Sequence, residues 1–339
     1  MISLLTYTVI ILGIIAIVQL ARVFELTGEL KGRKEWEISE KDNSMQANLW
    51  LWFGIILFIL FGWLVVEYGD SAQPNGSVHG VAYDNLLMVN FAIVVFVFLL
   101  VNAVLFYFAW RYKRDVNRVA EYFTHSTKLE MIWTIVPSVV MAGIIIYGIL
   151  FWYDTIMTKP SEDAIAIELY SKQFDWTARY GGKDNQVGSA NVRLIEGANF
   201  LGIDVEDPSS KDDIIIKGEF HIPVNKEISF QLRSQDVLHG AYMPNFRMQM
   251  NTVPGQTTSF HFTPNKTTKQ QREELGNPDF HYVLMCNKIC GSAHYNMQMN
   301  IIVETEEEYN KWLGEQKDFM AQVPELFENN NEKLMAEKN

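Results

Sequence analysis

The strongest constraint on this chain is a set of four apolar stretches before residue 154, at approximately 2–20, 47–66, 86–110 and 131–153. A helix needs about 20 apolar residues to cross a bilayer core, and each stretch is long enough. Leu49 to Val66 contains no charge, and Leu86 to Trp110 has only Asn90 and Asn102 as strongly polar interruptions. The fourth stretch carries Pro137 in its first turns, where a missing N–H costs little. The first stretch also has the length of a secretory signal. However, Met1-Ile2-Ser3 gives no positive start, and no small-residue cleavage pattern follows Gln19-Leu20-Ala21-Arg22, so it reads as a span ending at Arg22.

Orientation follows from the Lys/Arg bias of the loops. The loop 111–128 carries Arg111, Lys113, Arg114, Arg118 and Lys128, and the loop 21–46 carries Arg22, Lys31, Arg33, Lys34 and Lys41. The loop 67–85 has no Lys or Arg. The two basic loops therefore belong in the cytoplasm, and everything after 154 belongs outside. Trp63, Trp110, Trp133 and Trp152 near span ends fit interfacial anchoring.

From Ala164 the pattern changes to alternation, with Ile165, Ile167 and Leu169 on one face. Further strands read at about 213–219, 226–234, 257–263, 280–286 and 298–304, punctuated by Pro223, Pro244, Pro254-Gly255 and Pro264. Short strands at this spacing predict a β-sandwich or Greek-key barrel. The polar segment at about 181–212 reads as an insertion over the barrel. Thr305-Glu306-Glu307-Glu308 is a capping box that starts a helix, and the tail after about 320 reads as polar and mobile unless a partner holds it.

Charge narrows the partners. The chain is −12 overall, which argues against nucleic acid. Residues 154–339 hold 28 acids and 18 Lys plus Arg, so the exposed domain is −10. An acidic face suits both solubility and the steering of a basic protein partner.

The chemistry concentrates in Cys286-Asn287-Lys288-Ile289-Cys290-Gly291-Ser292-Ala293-His294-Tyr295-Asn296-Met297, which holds both cysteines of the chain. Two cysteines are too few for a disulfide scaffold, and with no Cys-x-x-Cys-His the chain attaches no c-type haem. A bare Cys-x-x-x-Cys suits a disulfide or a metal equally. Two thiols, an imidazole and a thioether within one loop favour copper, because polarizable sulfur matches a polarizable metal. His239, in Asp236-Val237-Leu238-His239, offers a second imidazole. A mononuclear blue site needs one Cys, whereas two suit a dinuclear centre.

Cys-x-x-x-Cys-Gly-x-x-His-x-x-Met after an upstream Asp-Val-Leu-His resembles the CuA signature of cytochrome c oxidase subunit II, over roughly residues 84–303. The resemblance implies a two-helix hairpin, formed by spans three and four, and an all-β cupredoxin-like Greek-key barrel. With the first two spans, which are extra to the family, the expected fold is four membrane helices plus that barrel. Its expected division is 1–83 for two extra helices, 84–155 for a helical hairpin, 156–304 for a periplasmic copper domain and 305–339 for a helix and tail. It implies that Cys286 and Cys290 bridge two coppers. His239 and Met297 complete one copper, and His294 and the Lys288 carbonyl complete the other. Asp236, three residues before His239, suits orienting a ligand or the subunit contact, and equally a strand-end turn.

It further implies an electron-input subunit of a proton-pumping haem–copper oxidase in a bacterial inner membrane. Its partners would be subunit I, other oxidase subunits and a c-type cytochrome, soluble or held in a larger complex. The oxygen-reducing site would lie on another chain. Leu129-Glu130-x-Ile132-Trp133-Thr134-x-x-Pro137 resembles the family's second hairpin helix, where the Glu stands at a proton-path entrance. Two positions depart from the family. Lys288 stands where a Glu usually reaches Mg²⁺ or Mn²⁺, which puts that metal in doubt. Gln173-Phe174-Asp175-Trp176 places Phe174 where the electron-entry Trp usually stands and keeps Trp176. A copper-delivery protein and a copper-free quinol oxidase subunit are the alternatives.

Overall fold

A computed structural model describes residues 2–30, 32, 39–69 and 73–328. One compact unit comprises Met1–Asp70 with Ile93–Thr127, and the other comprises Ser71–Ala92 with Lys128–Asn339.

The four apolar stretches are helices α1 (Ile2–Leu30), α2 (Glu40–Tyr68), α3 (Val78–Arg111) and α4 (Thr127–Trp152), the last continuing as a π turn, Tyr153–Met157. Their most apolar windows have mean hydropathies of 2.2 to 2.8 and are at most 6% buried. A helix apolar all round is stable only when its surroundings are apolar too. Each helix runs past its apolar stretch because polar residues prolong it on the water side. Thus α4 starts at Thr127, and Pro137 lies well inside the helix rather than in its first turns. Within the first unit, α2 and the later part of α3 pack closely. The Phe106 ring lies against Gly54, where a side chain would collide with it. Trp110 donates to Asn48 Oδ1 at 2.9 Å, and Lys113 Nζ donates to Ser44 Oγ at 3.0 Å.

The second unit contains a sandwich of two five-stranded sheets. Its strands are β1 (Ile165–Lys172), β2 (Asp175–Tyr180), β3 (Ile214–Lys217), β4 (Glu219–Pro223), β5 (Ile228–Ser234), β6 (His239–Met243), β7 (Met248–Thr252), β8 (Thr258–Phe262), β9 (Tyr282–Cys286) and β10 (Gln298–Glu304). One sheet runs β3-β2-β1-β5-β8 and the other β4-β10-β9-β6-β7. Ile167, Leu169, Trp176, Phe220, Phe230, Leu284 and Ile301 fill the space between them, all fully buried. Alternate residues of each strand supply this core, as the pleat requires.

Two short helices are fixed by capping boxes. α5 (Thr268–Leu275) is capped by Thr267 with Gln270, and α6 (Glu306–Gly314) by the expected Thr305 with Glu308. The insertion covers the barrel as expected, and the tail differs from expectation. Leu201 and Ile203 of the insertion join Tyr170, Phe319 and Phe327 in a second buried cluster on the outer face of β1. Phe319, in the short helix α7 (Phe319–Gln322), donates its N–H to the Asp213 carbonyl at 2.6 Å. The chain is therefore packed as far as Phe327, because two Phe rings leave water there. The last part of the expected tail, 329–339, lies outside the described residues.

Candidate metal centre

The site stands at one end of the second sheet. β9 ends at Cys286 and β10 begins at Gln298, so the loop between them is closed at its base by Cys286 N–H to the Met297 carbonyl, 3.0 Å. β6 lies beside β9, with Ala241 opposite Cys286, and this register brings His239 to the loop from 47 residues away. The loop then makes a 3₁₀ turn, His294–Asn296, which aims His294 back at Cys290. Gly291 adopts a positive φ of 148° against the Phe174 ring, where a Cβ would collide.

Six donors meet there. The thiols of Cys286 and Cys290 are free and 3.9 Å apart. His239 Nδ1 lies 3.9 Å from Cys286 Sγ, and the Lys288 carbonyl lies 3.1 Å from the same sulfur. His294 Nδ1 lies 3.6 Å and Met297 Sδ 3.8 Å from Cys290 Sγ. The ligand atoms of His239, Cys286 and Cys290 all fall within 4.8 Å of one another, and the three residues are buried. Burial, reinforced by the neighbouring Cys286, pushes the Cys290 thiol up to about 11. A metal binding there must displace that proton.

Asp236 faces the outer nitrogen of His239. His239 Nε2 donates to its carboxylate at 2.9 Å, which leaves Nδ1 directed at the sulfurs. Partial burial opposes the charge of Asp236, but donors from His239, Gln173 N and Val237 N outweigh it and hold the carboxyl below its usual range. A carboxylate behind a ligating His fixes its tautomer and ring orientation. Gln173 also donates its side-chain amide to the Cys290 carbonyl, so the β1–β2 turn grips the loop.

Trp176 is fully buried, with its ring edge-on to His239 at 6.2 Å between centroids. Phe174 is half-buried and packs on the core beside Gly291. Lys288 points its side chain outward, and Ile289 and Tyr295 are 86% and 87% exposed. Glu130 lies apart from this site, in the first turn of α4.

Residues 62–150 match the model of the cytochrome c oxidase subunit II transmembrane domain, and residues 166–305 match that of its periplasmic domain. The chain belongs to the cytochrome c oxidase subunit II family. The alternative cytochrome c oxidase subunit 2 of Bradyrhizobium diazoefficiens is 35% identical over 237 residues, covering 70% of this chain and 80% of the relative. The subunit 2 of Cereibacter sphaeroides is 27% identical over 259 residues, covering 72% and 79%. Among solved structures, the periplasmic domain of subunit II (CoxB) of Bradyrhizobium japonicum aligns at 24% identity with a TM-score of 0.32, covering 46% of this chain and 95% of that one.

As a subunit II, the chain is a multi-pass membrane protein with its β domain on the periplasmic side, and it is part of an oxidoreductase, the haem–copper oxidase. It associates there with subunit I and further oxidase subunits. The family implies copper, and a soft donor set with two free thiols fits that metal.

Proposed function

We propose that this chain is the electron-input subunit of a haem–copper terminal oxidase, taking electrons singly from a c-type cytochrome and passing them to the haem of subunit I, where oxygen is reduced to water. The observation that carries this reading is the convergence of four further donors on two free thiols 3.9 Å apart. Cys286 and Cys290 would bridge two coppers, His239 and Met297 would hold one, and His294 and the Lys288 carbonyl the other. A copper pair bound there supplies one-electron chemistry with little change in bond length. The protein's own part is rigidity. Asp236 locks the His239 ring, the Cys286–Met297 backbone bond closes the loop, and the Gln173 amide pins Cys290.

Phe174 lies on the outer side of the loop and Trp176 on its inner side, so Phe174 is the aromatic placed to meet the donor and Trp176 to support His239. Donor oxidation should slow in Phe174→Ala while the metal spectrum changes mainly in Trp176→Phe. The acidic periplasmic domain, −10 over residues 154–339, suits a basic cytochrome. Ile289 and Tyr295, exposed beside the ligands, support contact with a partner subunit. Lys288 carries an ammonium where relatives place a metal-binding carboxylate, and we assign it the charge-balancing role of that divalent ion. Mg²⁺ or Mn²⁺ found at the subunit interface would reject this assignment. Glu130, in the first turn of α4, is assigned the entrance of the proton path. Unchanged turnover in Glu130→Gln would reject it.

The decisive experiment is copper loading of the reduced full-length chain. Two coppers per chain and the purple absorption of a mixed-valence pair are expected. A single ion, or a Cys286–Cys290 disulfide that resists loading, would overturn the reading.

A further inference from the structure

The far end of β6 carries a feature that the ligand set does not require. After Met243 the chain turns through Pro244–Phe246, and Arg247 closes the turn in the left-handed region, φ 55° and ψ 33°. Glycine adopts that conformation without Cβ crowding, so a side chain kept there points to a use for it. The Arg247 guanidinium forks onto Asp84 in the second turn of α3, with Nε to Oδ1 at 2.7 Å and Nη2 to Oδ2 at 3.0 Å. Two further donors reach the Gln73 and Pro244 carbonyls, both at 2.7 Å. Four of the five N–H donors of the fork are thus used within the protein, and the Arg247 side chain is only 12% exposed.

Backbone bonds surround this pair. Gly76 N–H donates to the Asn245 carbonyl at 2.8 Å, and Ser77 Oγ donates to the Phe246 carbonyl at 2.9 Å. The neighbouring space is not filled by side chains. A cavity of about 630 Å³, lined among others by Tyr83, Leu87, Phe151, Trp152 and Met250, separates the helix ends from β6 and β7. The polar fork and the short backbone bonds span this gap, beside the close packing of Gly76 on Phe246 and Tyr282.

We infer that Arg247, through Asp84, is a positioning residue that locks the periplasmic barrel to the start of α3 and so sets where the metal centre stands for onward electron transfer. The inference rests on the copper reading above. β6 runs from His239 to Met243, four residues and about 13 Å at the usual rise of a strand, and the turn that carries Arg247 follows directly on Met243. β6 is paired to β7 along its whole length and to β9 at Ala241–Cys286. A strand held on both sides passes a displacement along rather than absorbing it. The planar fork also explains why the cation is Arg, because a Lys would meet Asp84 as a single point charge.

The test uses the assembled oxidase carrying Arg247→Gly, Arg247→Lys, Asp84→Asn or the exchange of both residues, Asp84→Arg with Arg247→Asp. Arg247→Gly relieves the backbone while removing the lock, and Asp84→Asn alters the lock from outside the barrel. Both single changes should leave the copper absorption intact. Both should speed amide exchange at 73–84 and 244–252 about tenfold, with β1 and β5 unchanged. Copper-to-haem transfer should slow about tenfold, as geometric misplacement does, while electron uptake from a small soluble reductant stays the same. Arg247→Lys should resemble Arg247→Gly more than the native chain, and the exchanged pair should recover most of the rate. Unchanged exchange and transfer in Asp84→Asn, or faster exchange spread over β1 and β5, would overturn the inference. Missing copper absorption in the unaltered oxidase would instead overturn the proposed function.

Discussion

The copper loop and the outer layer of the barrel are built on opposite terms. The loop keeps its most polarizable groups free, with two unbridged thiols and an imidazole whose inner nitrogen is unclaimed by carboxylate. The outer layer pairs its buried charges with one another. There Arg179 bridges Glu168 at 2.7 Å and Asp213 at 3.0 Å, and Arg233 reaches Glu168, with all four side chains buried or nearly so. Burial opposes the Glu168 charge, but the two guanidinium groups outweigh it and keep its carboxyl below the usual range. Over these ions lie Leu201, Ile203, Phe319 and Phe327. One region stores reactivity on a rigid frame, and the other uses charge and apolar cover only to stay folded. Removing either should therefore leave the other property standing.

The largest effect is expected from Cys290→Ser. It should abolish the purple absorption and the second copper, while the unloaded domain keeps its native circular dichroism. Loss of fold with the metal would break the contrast. Phe319→Ala should do the reverse. It should cost about 3–5 kcal/mol in denaturant titrations, the usual range for a buried Phe, and leave the copper absorption of the folded protein unchanged.

The smallest effect concerns pH. Burial, only partly offset by Arg179 and the Gly188 N–H, pushes the Asp213 carboxyl up to about 7 from 3.8. The native state then binds a proton that the unfolded chain has released. The stabilisation from this group is complete below 3.8 and is lost as pH rises through about 7. Stability should fall from pH 6 to pH 8, and Asp213→Asn should flatten that slope. An unaltered slope would remove Asp213 from the account of the outer layer.

Parts of this architecture were legible because they are local. The four helices follow from unbroken apolar runs, and the α6 start follows from Thr305 and Glu308, three residues apart. Six expected strands coincide with β1, β3, β5, β8, β9 and β10. β2, β4, β6 and β7 have no counterpart among the expected strands. Asp175-Trp176-Thr177-Ala178-Arg179-Tyr180 and Met248-Gln249-Met250-Asn251-Thr252 do alternate in polarity, but they are short and carry Asp or Asn, which are depleted in strands. In β2 the polar Thr177 and Arg179 are buried too, on a face that the pattern would assign to solvent. Alternation likewise gives Glu168 and Tyr170 to water, yet the insertion and the tail cover them. The second capping box, Thr267 with Gln270, is present in the sequence but precedes a helix whose only apolar residue is Leu275, so no apolar face marks it.

By itself the sequence determined the membrane spans and the donor set of residues 286–297, since hydropathy and ligand chemistry act over a few residues. The Asp-Val-Leu-His context also pointed to His239, but the tertiary structure alone decided how distant groups are brought together. Strand pairing brought His239 to Cys286 across 47 residues, and chain reversal joined Arg247 to Asp84 across 163. Register and crossover depend on what the whole core can bury at once, and no short stretch of residues carries that information.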